Sequence, residues 1–219
     1  MKAIETKFDG RLFRSRTEAK WAVFFKSLNI SYEYEKEGFD LDGLWYLPDF
    51  YLPKQKVWIE IKGSVPSTED IEKVKRLADH AFQEDSSVRV FLFRDLQLVH
   101  EGIAPVPFGY QVTSAETPPD NVVAAEDSGD PRLIDYFYWT ICPFCRDVNI
   151  TYYGSGRFLK CGCLEGFRQA LIAKGGYKKA DEWWVNKFID LMTLEDSPDL
   201  LTAYDTARMA RFEHGRSGN

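Results

Sequence analysis

The chain predicts a mixed α/β (α+β) layer fold, and three observations predict it. Helix, strand, strand, strand, helix and strand patterns follow one another within about a hundred residues, an αβββαβ order. The run Val57-Trp58-Ile59-Glu60-Ile61 is nearly all apolar, as expected of a strand covered on both faces. Beyond residue 135, strand-like pieces resume around a cysteine cluster, and residues 165–215 read as helical.

Residues 15–29 give the first helix. Ala19, Ala22, Val23 and Leu28 with Trp21, Phe24 and Phe25 form its apolar face. Ser15 or Thr17 serves as N-cap, and Glu18 stands three residues after Ser15 in a capping-box position. A short strand over 30–34 follows. Residues 44–52 and 56–62 are the next two strands, joined by a tight turn at Pro53-Lys54-Gln55. The second helix spans 67–82, with Ser67 or Thr68 before Glu69 and Asp70, and a stripe of Ile71, Val74, Leu77, Ala78 and Ala81. Residues 88–93 form a further buried-type strand. Residues 113–131 are rich in Pro, Asp, Ser and Ala without apolar periodicity, so 111–135 reads as an acidic linker or loop. Helices are expected over 181–191 and 198–213.

Composition sets the class. With 44% hydrophobic and 28% charged residues, the chain is neither a disordered segment nor a coiled coil. No stretch approaches the roughly 18 consecutive apolar residues of a spanning helix. The first residues lack a signal-peptide pattern, so a cytoplasmic protein with no membrane partner is expected. The net charge of −6 does not point at nucleic acid by itself, but a DNA enzyme needs only a local basic face. Residues 1–30 are basic on balance, whereas 111–135 carry six acids against Arg132.

The chemistry concentrates in Pro48-Asp49 on one strand and Glu60-Ile61-Lys62 on the next. A hairpin brings Asp49 and Glu60 near each other, and Glu60 and Lys62, two apart, leave the same face. Two carboxylates and an ammonium at one point suit a Mg²⁺ or Mn²⁺ site built from oxygen ligands. An acid inside an apolar run is costly to bury without a partner or metal. The blander reading is a turn aspartate and an edge-strand ion pair.

On these residues the chain resembles the PD-(D/E)XK nuclease superfamily. Pro48-Asp49, ten residues, then Glu60-x-Lys62 is that pattern, and the order of elements is similar to its αβββαβ restriction-endonuclease-like core with a mixed sheet. Ser15-Arg16-Thr17-Glu18-Ala19 is similar to the corresponding helix in the very-short-patch-repair and transposon-end-cleaving branches. The resemblance covers roughly residues 10–100, within a nuclease domain over 1–110. It implies an endonuclease hydrolysing DNA phosphodiester bonds. Asp49 and Glu60 would bind Mg²⁺, Glu18 would complete or support the site, and Lys62 would position the attacking water. Glu35 is a further candidate for the same cleft. Cutting both strands with one site per chain implies a homodimer or a protein partner.

Cys142-x2-Cys145, fifteen residues, then Cys161-x-Cys163 contains all four cysteines. Cys142-Pro143-Phe144-Cys145 alone looks like a glutaredoxin-type redox motif, which needs a helix directly afterwards. Instead Val148–Tyr153 is strand-like, Gly154-Ser155-Gly156 a turn, and Arg157–Lys160 a returning strand. A hairpin with a Cys pair at each base reads as a zinc ribbon over 136–165, supplying four thiolates to a structural Zn²⁺. Stapling and nucleic-acid binding are equally open roles for it. A helical region over 166–219 completes the chain.

Phosphate contacts are expected from Arg14, Arg16, Lys73, Arg146, Arg157 and Lys160, with solvated faces as the alternative. Trp45, Tyr46 and Tyr51 flank Asp49 and read as stacking platforms or as sheet packing. The rival function is a nucleic-acid or protein-binding module with a silent or partner-dependent site and the ribbon as its recognition element. Whether the substrate is DNA or RNA, and in which form, stays open at this level.

Overall fold

Asp-Gly pairs make the tightest reversals in this chain, because both residues of a type I′ hairpin turn need positive φ. Asp9 and Gly10, at φ 50° and 77°, join β1 (Thr6–Phe8) to β2 (Arg11–Phe13). The computed structural model describes residues 3–96, 109–116, 130, 132–142, 144–152, 162–163, 166, 169–170, 172–175 and 198–212. After β2 come α1 (Arg16–Ser27), β3 (Glu33–Tyr34), β4 (Phe39–Asp40) and β5 (Trp45–Tyr46). Asp42 and Gly43, at φ 57° and 80°, close the β4–β5 hairpin in the same way as the first. Then follow β6 (Phe50–Leu52), β7 (Val57–Lys62), α2 (Thr68–Glu84) and β8 (Arg89–Arg94). The chain continues through β9 (Gly109–Val112), β10 (Leu133–Ile141), β11 (Val148–Tyr152) and α3 (Pro198–Met209).

The architecture is mixed α+β, as the periodicities predict. Among the described residues seven strands form one sheet in the order β11-β10-β9-β8-β7-β6-β3. β7 and β8 run parallel on either side of α2 in sequence, and the other neighbours are antiparallel. Alternation along the strands divides the core. Ile59, Ile61, Phe91 and Phe93 face α1 and α3, within an aromatic cluster of Trp21, Phe24, Phe25, Phe50 and Trp139. Trp58, Val90 and Leu92 face α2, meeting Val74, Leu77, Ala78 and Ala81. The β4–β5 hairpin adds Leu41 and Tyr46 to that second layer.

The differences from expectation are local. The strand expected over 44–52 is two strands in two sheets. Pro48 offers no N–H to a ladder, and the chain leaves the β4–β5 hairpin there to enter the main sheet at Phe50. The expected linker is narrower than 111–135, since β9 and β10 reach into that window and pair, Val112 opposite Leu133. Arg132 holds the junction, donating to Thr113 O at 2.8 Å and to Asp79 Oδ1 at 2.7 Å. The strands on either side of the Cys142–Cys145 turn therefore extend the main sheet and share its core. The helix expected over 181–191 lies outside the described residues, and no described helix is long and apolar enough to cross a membrane.

The docking of α3 generates a test. Tyr204 packs on Phe24 with ring centroids 4.5 Å apart, and its buried hydroxyl has no hydrogen-bond partner. Tyr204→Phe removes an unsatisfied donor and should stabilise the fold by about 1 kcal/mol. Tyr204→Ala empties the contact and should cost ~3 kcal/mol. Urea unfolding of both variants checks this. Two neutral outcomes would mean that α3 does not close the core.

Candidate active site and metal centre

The site grows from two neighbouring strands. Tyr51 stands opposite Trp58 and Phe50 opposite Ile59, so the same register, continued, sets Asp49 opposite Glu60. Asp49 is only 3% exposed and Glu60 5%. Asp49 Oδ2 accepts the Ile61 N–H at 2.8 Å, which fixes the carboxylate against β7. Its Oδ1 accepts from Arg14 Nη2 at 2.9 Å. The same guanidinium reaches Glu35 Oε1 through Nε at 2.5 Å, placing the further candidate Glu35 at this point as well.

Glu18 arrives from α1. Ser15 caps the helix by accepting the Glu18 N–H at 3.1 Å, and its hydroxyl donates to Glu18 Oε1 at 2.7 Å. Tyr34 donates to Glu18 Oε2 at 2.6 Å while its own oxygen accepts the Arg14 N–H at 3.0 Å. Glu18 is thus held from three sides and still has lone pairs to offer.

Lys62 arrives from the end of β7. Its ammonium lies 2.9 Å from Glu60 Oε1 and 2.8 Å from Asp70 Oδ1. Burial works against that charge, yet Glu60 and Asp70 together raise the ammonium above its ordinary value. Lys62 therefore carries a proton at neutral pH and acts as a fixed positive charge. Burial also works against the Asp70 charge, but Lys62 and the hydrogen bonds from Ser67 bring its carboxyl down to about 2.

Two observations test the fit of a cation. Glu60 Oε2 and the Tyr46 hydroxyl are both buried, face one another and make no well-formed hydrogen bond. Burial, then the charges of Glu60 and Glu18, push the Asp49 carboxyl well above the carboxylate range. Burial and Glu60 raise the Tyr46 phenol in the same way. Negative charge is in excess at this point, and all its donors are oxygens. Oxygen donors are the ligand type of a small hard cation, but among the described residues three ligand atoms gather within 4.8 Å only at the cysteines.

The second cluster lies at the turn after β10. Cys142 N–H donates to Asp147 O at 2.8 Å and Arg146 N–H to Cys142 O at 2.9 Å, a tight loop that carries Cys142 and Cys145. With Cys163 their sulfurs lie within 4.8 Å of one another. Two thiolates on one zinc, each bonded at about 2.3 Å, stand roughly 3.8 Å apart in a tetrahedron. The cluster therefore fits a metal such as zinc. The strand β11, not a helix, follows Cys145, so the structure lacks what a glutaredoxin-type motif requires. Cys161 and the returning strand over 157–160, with Arg157 and Lys160, lie outside the described residues.

Of the remaining basic candidates, Lys73 pairs with Glu69 at 2.5 Å and Arg146 with Asp199 at 2.5 Å. Arg16 opens the first turn of α1. Arg14 binds the acid cluster through Asp49 and Glu35. Sequence reasoning missed Tyr34, Asp70 and the buried face of Tyr46 as parts of the site. The signals were present: Tyr34 follows the Tyr32-Glu33 alternation, and Asp70 is the capping-box residue of α2. Comparison with family models, with curated proteins and with solved structures returns no match for this chain.

The raised Asp49 carboxyl sets a pH dependence. A carboxyl whose folded pKa exceeds its unfolded value supports the fold at low pH, and that support is lost as pH rises through the folded value. Without added Mg²⁺, the wild-type Tm should fall more steeply than that of Asp49→Asn as pH rises above the ordinary carboxylate range. Thermal melts across that rise decide it. Parallel profiles would remove Asp49 as the responsible group.

Proposed function

We propose that the chain is a metal-dependent nuclease of the PD-(D/E)XK type that hydrolyses phosphodiester bonds of DNA. The observation that carries this reading is the convergence of Asp49, Glu60 and Lys62, with Glu18 beside them, on one buried point that has surplus negative charge. Mg²⁺ or Mn²⁺ held by Asp49 and Glu60, with Glu18 in support, would offset charge that builds on a phosphate oxygen. Lys62 stays protonated, orients the attacking water and offsets charge that builds in the transition state. Asp70 holds the Lys62 ammonium in place from the far side. Arg14, half exposed at the mouth of the site, exchanges its carboxylate partners for the incoming phosphate.

A structural zinc at Cys142, Cys145 and Cys163 belongs to the same reading. It would tie the β10–β11 turn to Cys163, adding metal-ligand energy to the fold. Zinc removal by a strong chelator should lower Tm, and Cys142→Ser should lose the bound zinc by elemental analysis. An unchanged zinc content in the variant would show that the metal sits elsewhere.

The rival reading is a binding module whose site is silent, and the Arg14 guanidinium already seated on Asp49 supports it. One experiment separates the two. Supercoiled, linear, branched and single-stranded DNA are incubated with Mg²⁺ or Mn²⁺ and with wild type, Asp49→Asn or Lys62→Ala. The nuclease reading expects cleavage by wild type, none by Asp49→Asn and at least about 100-fold less by Lys62→Ala. Intact DNA in every wild-type reaction, with the fold and zinc retained, sinks it.

A further inference from the structure

A second concave site lies one rung along from the acids. On the face that carries Asp49 and Glu60, the neighbouring cross-strand pair is Tyr51 and Trp58. These two rings pack with centroids 4.6 Å apart, and Phe39 meets the Trp58 edge at 5.2 Å. His80 of α2 packs on Phe39 in a tilted arrangement, with centroids 5.1 Å apart. Together with Lys36 and Glu84 they line an open cavity of about 250 Å³. The Lys36 ammonium lies over the Tyr51 ring, 4.1 Å from its centroid, with Glu37 3.8 Å away on its other side. Lys36 directly follows Glu35, whose carboxylate binds Arg14 at the catalytic point.

We infer that this cavity receives one unpaired nucleobase of the substrate, next to the phosphate that is cut. The inference rests on the nuclease reading and specifies its substrate class. Four features support this occupant. The walls are aromatic rings, one of which already presents its face to a tethered cation, so a flat π-system has a surface on which to stack. The distance suits it: two residues along a strand, at about 3.3 Å each, separate the aromatic rung from the acid rung, about the stride of one extended nucleotide. The charges suit it as well, because Lys36 can leave the ring for a flanking phosphate as the base enters. The carboxylate of Glu84 at the rim can accept from an exocyclic amine, which favours guanine, cytosine or adenine over thymine. A base inside a duplex cannot reach such a cavity without leaving its stack. The preferred substrate is therefore single-stranded or locally unpaired DNA.

The test reads base insertion separately from cleavage. Single-stranded oligonucleotides with one 2-aminopurine, moved position by position, are titrated with the protein without added Mg²⁺ or Mn²⁺. Stacking on the rings should quench the fluorophore strongly at one position, and cleavage mapped afterwards with metal should fall at the phosphate beside it. An abasic residue at that position should weaken wild-type binding about tenfold, and Tyr51→Leu should abolish the quench. The abasic scan uses the native protein, so it decides even where Tyr51→Leu fails to fold. Equal quenching at all positions, or indifference to the abasic residue, overturns the base site while leaving any observed cleavage intact. Quenching at one position without cleavage supports the base site and overturns the nuclease reading instead.

Discussion

Two carboxylates on one buried rung of a sheet set the terms for everything around them. Asp49 and Glu60 occupy the layer that elsewhere holds Trp58, Val90 and Leu92, where an uncompensated charge costs several kcal/mol. The neighbouring elements are arranged to meet that cost. Arg14 answers Asp49 from the loop before α1, Lys62 answers Glu60 from the strand itself, and the Ile61 N–H fixes Asp49 in register. The compensation is incomplete, since Glu60 Oε2 makes no well-formed hydrogen bond.

Helix caps take part in the same arrangement. Glu18 and Asp70 each stand three residues after the serine that caps their helix, and each engages that serine. Acids are favoured at this position by the helix dipole and by the orphan N–H groups of the first turn. The same positions bring one acid to Asp49 and the other to Lys62. Local capping chemistry and the geometry of the site are therefore one constraint met twice, once from each helical layer.

The larger scaffold keeps those parts in register. α1 is pinned by Trp21, Phe24 and Phe25, whose rings mesh with Phe50, Phe93 and Trp139 on the sheet. The Trp21 indole also donates to Arg94 O at 3.0 Å, tying the helix to the end of β8. A sheet widened by β9, β10 and β11 gives α3 a surface beside α1. The cysteine turn then stands at the far edge of this sheet, well separated in strand order from the acids. The thiol cluster and the buried carboxylates are thus built on well-separated strands of one scaffold.

Much of this was legible in residue order. The pattern of apolar periods predicted the order of helices and strands, because period and capping are local properties. The acid within an apolar strand marked the site, because burying charge is costly wherever it occurs. The Asp-Gly hairpins were equally legible and went unread. What only the tertiary structure decided was partnership. Arg14 read as a phosphate contact, yet it bridges Asp49 and Glu35; Asp70 read as a cap, yet it holds Lys62. The break at Pro48, the pairing of β9 with β10 and the aromatic cavity beside the acids also depend on residues far apart in the chain. Sequence determines which groups need a partner, since that follows from their own chemistry. Only the packed fold determines which partner arrives, since that depends on distances set by contacts across the whole chain.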